Sequence, residues 1–78
     1  MTITVLYFAS LRDAAGRERE EVPVPASLAA LYDDLRGRHG FGLPRERLRV
    51  AVDGAFVAWD TPPRAGSEVA FIPPVSGG

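Results

Sequence analysis

The chain has 78 residues, enough for one domain and not for a second, and with 46% hydrophobic residues it can build a single small core. Its net charge of −1 gives no field strong enough to draw nucleic acid or a membrane surface. Cysteine is absent, which excludes disulfides, thiolate metal sites and a thiol nucleophile.

The first eight residues lack the basic start of a secretory signal, and no apolar run is long enough to span a bilayer, so the expected location is the cytoplasm. Residues 2–8 are rich in β-branched and aromatic side chains and read as a strand. Their apolar residues fall on both faces, which predicts an interior strand. Residues 10–16 are too short for a long helix and read as one helical turn stopped by Gly16. Residues 17–24 alternate charges with Val22 and Val24, the pattern of a half-exposed strand.

The clearest helix begins after Ser27, a side chain suited to capping the first free amides. Leu28, Leu31, Tyr32 and Leu35 then recur at i, i+3, i+4 and i+7, one apolar stripe for packing on a sheet. Arg36, Arg38 and His39 occupy the last turn, where cations complement the helix dipole, and Gly40 ends it. Residues 41–47 read as a loop. Two strand-like runs follow, 48–52 and 55–59, separated by Asp53-Gly54. That pair is a strong hairpin signal, because both central residues of the tight turn take positive φ. Turn chemistry fills residues 60–66, and residues 68–72 form a last strand. The order β, turn, β, α, β, β, β predicts an α+β fold of β-grasp type, with a mixed sheet of four to five strands. One main helix covers one face and leaves the other open. The expected division is a domain over 1–72 and an extended tail over 73–78.

The tail has its own logic. Pro73 and Pro74 cannot donate to a strand ladder and hold the chain extended, so they end the sheet and launch a stiff arm. Six extended residues reach about 20 Å. Val75 and Ser76 are the spacer, and Gly77 and Gly78 carry no side chain, so they can thread a channel too narrow for a Cβ. The group delivered is the α-carboxylate of Gly78. An α-carboxylate is ionised near neutral pH and a poor electrophile, so it must be activated before it accepts a nucleophile.

Residues 68–78, read from Glu68-Val69-Ala70-Phe71-Ile72 through Pro73-Pro74-Val75-Ser76-Gly77-Gly78, resemble the C-terminal signature of molybdopterin synthase small subunits, which are ubiquitin-like sulphur carriers. Tyr7-Phe8-Ala9-Ser10-Leu11-Arg12-Asp13 resembles that family's first strand and turn. Val50-Ala51-Val52-Asp53-Gly54 resembles its hairpin, with Asp where Asn is commoner. The resemblance implies that an adenylating enzyme related to ubiquitin-activating enzymes uses ATP and Mg²⁺ to form an acyl-adenylate on Gly78. A persulfide-bearing sulphur donor then converts it to a thiocarboxylate. It also implies that the tail enters the large synthase subunit, in a heterotetramer, and gives its sulphur to a cyclic pyranopterin precursor. Catalytic side chains would belong to the large subunit, and this chain would bind no cofactor itself. Related carriers serve tRNA thiolation or thiamine synthesis, and related modifiers form isopeptide bonds. All nine basic residues here are Arg, so no lysine ε-amine is available for building chains on this protein itself.

Strand alternation separates two sets of side chains. If Tyr7, Val57 and Phe71 pack beneath the helix, then Phe8, Phe56 and Ile72 emerge on the open face near the root of the tail. The family docks partners through apolar residues at these matching positions; read from pattern alone, the same residues serve equally as core. Arg12 is a further candidate for pairing with acidic groups on a partner. Other features carry less. His39 sits where capping explains it, and Asp33 and Asp34 are helix neighbours that do not face each other. The arginines at 36, 38, 45, 47 and 49 lie among acids and read as solvated charge, and no glycine-rich loop lies between a strand and a helix to bind a nucleotide.

Overall fold

The computed structural model describes residues 1–74. The expectations placed on Val75, Ser76, Gly77 and Gly78 lie outside the described residues. Five strands form one sheet: β1 (Thr2–Tyr7), β2 (Arg19–Pro23), β3 (Arg49–Val52), β4 (Ala55–Val57) and β5 (Glu68–Ile72). Their order across the sheet is β2-β1-β5-β3-β4. The pairing of β1 with β5 is parallel and the others are antiparallel, which gives the mixed β-grasp sheet.

Two helices connect the strands, α1 (Ala9–Ala15) and α2 (Leu28–His39), and a 3₁₀ turn spans Arg45–Arg47. In α2 the Ser27 hydroxyl accepts from the Ala30 amide at 3.0 Å, and Gly40 closes the helix in the left-handed region at φ 75°. Leu28, Leu31, Tyr32 and Leu35, the four stripe positions, are all buried. Asp53 and Gly54 take φ of 51° and 88°, so the hairpin joining β3 and β4 is the tight turn expected of Asp-Gly. The Asp53 carboxylate also accepts from the Glu68 amide at 2.9 Å and ties the turn to β5.

The structure revises the reading at three places. The segment after β1 is a seven-residue helix and not a single turn, held by burial of Leu11. Phe41, placed in a loop, is 4% exposed and belongs to the core. It stacks on Tyr32 with ring centres 5.9 Å apart and meets Tyr7 edge-on at 5.8 Å. The strand expected over 55–59 ends at Val57, and Trp59 instead lies flat against Phe71, 5.8 Å between centroids and 12° between planes.

Candidate functional site

Register places the two faces of the sheet. Tyr7 opposes Phe71, Phe71 opposes Val50, and Val50 opposes Val57, one apolar row across β1, β5, β3 and β4. Tyr7, Phe71 and Val50 are buried and Val57 half-buried, on the side that holds the buried stripe of α2. One residue back, Leu6 opposes Ala70, Ala70 opposes Ala51, and Ala51 opposes Phe56. Because side chains alternate along a strand, this second row lies on the open face.

With Phe8, Ile72, Gly54 and Glu68 the second row lines a shallow groove of about 330 Å³. Its two aromatic residues are both exposed, Phe8 at 44% and Phe56 at 56%. The structure therefore brings Phe8, Phe56 and Ile72 together on one surface. Small Ala51 and Ala70 form its floor, so the larger residues at the rim stand proud of it. Exposed aromatics clustered on one sheet face are the pattern of an interaction surface.

Two features tie this surface to the tail. Because β1 and β5 run parallel with Tyr7 beside Phe71, the chain leaves β5 at Ile72 on the side where β1 delivers Phe8. Pro73 follows at once, and the sheet pairing stops there. The turn out of β1 is sharp: Ala9 takes φ 51°, a left-handed conformation that costs a non-glycine residue roughly 1–2 kcal/mol. Phe8 takes the N-cap position of α1 with extended backbone, and its side chain lines the groove. Arg12 lies beside it, lining a second depression with Leu6, Phe8, Glu18 and Arg19. Its guanidinium approaches Glu18 only to 4.0 Å and remains half-exposed, so it stays available to a partner.

A second constellation, unread in the sequence, lies on the helix side. The Tyr7 hydroxyl donates to Glu20 Oε1 at 2.8 Å, His39 Nε2 meets the same oxygen at 3.1 Å, and Arg38 holds Oε2 at 3.0 Å. An ionised carboxylate only accepts, so His39 donates from Nε2. Burial raises the Glu20 carboxyl, but the hydrogen bonds from Tyr7 and His39 and the Arg38 charge outweigh it, and the net shift is downward. Burial, aided by the neighbouring Glu20, pushes the Tyr7 hydroxyl well above the ordinary tyrosine range. Tyrosine, glutamate and histidine together resemble an acid–base centre, yet each is spent on another. The Glu20 side chain is only 10% exposed.

The role of this cluster is to tie the end of α2 to β1 and β2. A carboxyl held below its unfolded value stabilises the fold fully above about pH 4.5, and that contribution is lost as the pH falls through the lower folded value. Urea midpoints compared at neutral pH and below pH 4.5 should therefore show Glu20→Gln flattening the acid loss of stability. An unaltered acid limb in that variant would show that the cluster is not the source.

No described helix is long and apolar enough to cross a membrane, and no cluster of three or more metal-binding side chains occurs among the described residues. A family model described as the ThiS family matches residues 5–78. The sequence is similar to the molybdopterin synthase sulfur carrier subunit of Escherichia coli, 36% identical over 80 residues that cover 97% of this chain and 99% of that one. The structure is similar to small archaeal modifier protein 1 of H. volcanii, with a TM-score of 0.79 and 28% identity over 95% of this chain and 98% of that one. It also shares its fold with a chain in the protein–protein complex of subunits 1 and 2 of molybdopterin-converting factor from Helicobacter pylori, at a TM-score of 0.71, 22% identity and full coverage of both chains.

Proposed function

Since the chain belongs to the ThiS family, matched over residues 5–78, we propose that it is the sulphur-carrying small subunit of a molybdopterin synthase and that the Gly78 carboxylate carries the sulphur. The observation that carries this reading is the junction of the exposed apolar groove with the root of the tail, where Ile72 lines the groove and Pro73 continues the chain. A carrier must be held by its body while its end reaches into another protein's active site. The groove around Phe8, Phe56 and Ile72 is the holding surface, with Arg12 at its edge.

The chemistry follows from the group to be loaded. An activating enzyme supplies ATP and Mg²⁺; the Gly78 carboxylate oxygen attacks the α-phosphorus and pyrophosphate leaves. The terminal sulphur of a persulfide donor then attacks the acyl carbon and displaces AMP. A further thiol cleaves the acyl disulfide, leaving a thiocarboxylate on Gly78 and a disulfide on the donor side. In the large subunit the thiocarboxylate sulphur forms a C–S bond to a carbon of the pyranopterin precursor as an oxygen substituent leaves that carbon. Water then cleaves the acyl–sulphur bond of the resulting thioester, returning the Gly78 carboxylate and leaving the sulphur on the pterin. This chain supplies the nucleophilic sulphur and the docking surface, and the large subunit supplies the acid–base groups.

Incubation with the cognate activating enzyme, ATP and a sulphur donor tests this by intact mass. The expected result is a gain equal to replacing one oxygen by one sulphur. An unchanged mass with a demonstrably competent activating enzyme would overturn the carrier reading. The likeness to an archaeal modifier protein favours one second reading, conjugation of the activated Gly78 to amines of other proteins. Covalent adducts in place of the sulphur-bearing species would identify it.

A further inference from the structure

Arg49 begins β3 opposite Ile72, the last residue of β5, and its neighbour Val50 points into the core, so Arg49 lies on the open face. Its guanidinium carbon sits 3.9 Å from the centroid of the Phe56 ring. This diagonal contact follows from register, because Phe56 opposes Ala51, two residues along β3 and on the same face as Arg49. A guanidinium over a ring keeps its charge while its orientation is fixed.

The other arginines around the groove are engaged differently. Arg19 pairs with Glu68 at 3.1 Å, and Arg12 reaches Glu18 at 4.0 Å. On the helix side, Arg45 also lies near an aromatic ring, that of Trp59, but pairs with Asp33 at 3.1 Å. Among the described residues Arg49 has an aromatic support and no carboxylate within ion-pair distance. It is a pre-oriented cation at the rim of an apolar groove, where the tail begins.

We propose that Arg49 is a partner-selecting residue, pairing with a carboxylate that the large subunit presents beside the apolar side chain filling the groove. The proposal rests on the docking reading above and adds its electrostatic half. Apolar contact around Phe8, Phe56 and Ile72 gives adhesion that many surfaces can satisfy. A fixed cation needs an acid at one place and repels a basic surface there, which is how charge supplies specificity. Because the ring already holds the guanidinium, little rotamer freedom remains to be lost on binding.

The test measures affinity of the full chain for its cognate large subunit, at low and high ionic strength, for the native protein, Arg49→Glu, Arg49→Gln and Phe8→Asp. Phe8→Asp reports on docking itself; it should fold, because the ring is half in solvent and Asp is a good residue at a helix N-cap. Arg49→Glu should weaken binding at least about tenfold at low salt and Arg49→Gln by less. Both deficits should shrink as salt is raised. Thermal unfolding of the Arg49 variants should stay close to native. If Phe8→Asp binds like the native chain, the docking reading fails. If Phe8→Asp weakens binding while Arg49→Glu does not, or does so equally at all salt concentrations, docking stands and the role of Arg49 is overturned.

Discussion

Deleting Gly78 is expected to abolish sulphur loading while leaving the folded domain and its affinity for the large subunit nearly unchanged. The deletion does not remove the chemistry, because Gly77 then carries an α-carboxylate of the same kind. It withdraws that group by one residue, about 3.5 Å of extended chain. A misplacement of 1 Å in a positioned reaction costs about 100-fold, so the loss should exceed that and fall below detection by intact mass. Folding should be spared because the buried core ends at Phe71, seven positions earlier. Affinity should change only a few-fold if the groove around Phe8, Phe56 and Ile72 supplies the hold. Loading of the shortened chain at the native rate would mean that the activating enzyme does not measure tail length, and that the working carboxylate is not specifically that of Gly78.

What could be read from the sequence was what local chemistry fixes. Ser27 and Gly40 bound α2, and Asp53-Gly54 sets the hairpin, because capping and turn residues act within a few positions of themselves. The bounds of β5 were also legible, since Pro73 forbids further pairing. Alternation placed Phe8, Phe56 and Ile72 opposite Tyr7, Val57 and Phe71, since a pleated strand allows no other assignment. The missed contacts need partners far along the chain. Glu20 reads as one charge in an alternating strand, yet it meets Tyr7 13 positions away and His39 19 positions away. Phe41 stands in a segment with no periodicity, and only the packed fold places it between Tyr32 and Tyr7. Arg49 reads in the sequence as one more solvated arginine, because its contact with Phe56 depends on the hairpin register.

The neighbours Phe71 and Ile72 should separate stability from function more sharply than any other adjacent pair. Phe71 is fully buried in the central strand, flat against Trp59 and 5.1 Å edge-on from Tyr32. Truncating such a ring to alanine costs about 3–5 kcal/mol, through lost transfer energy and the cavity left behind. A domain of this size holds on the order of 5 kcal/mol, near the low end of native stabilities, and has no disulfide to limit its unfolded state. With roughly 4–8 °C of melting temperature per kcal/mol, Phe71→Ala should lower the midpoint by more than about 10 °C and leave much of the chain unfolded at 37 °C. Ile72, one position on, is only half-buried and faces the groove. Ile72→Asp should melt within a few degrees of native and lose affinity for the large subunit, since it sets a carboxylate in the apolar surface. Melting curves and binding isotherms on the two variants would then move in opposite columns. If Ile72→Asp unfolds the domain as Phe71→Ala does, the open face is part of the core and cannot be a surface kept free for a partner. If Phe71→Ala melts like the native chain, the stacked aromatics are not what holds β5 in place, and the position of the tail root must be set by the strand pairing alone.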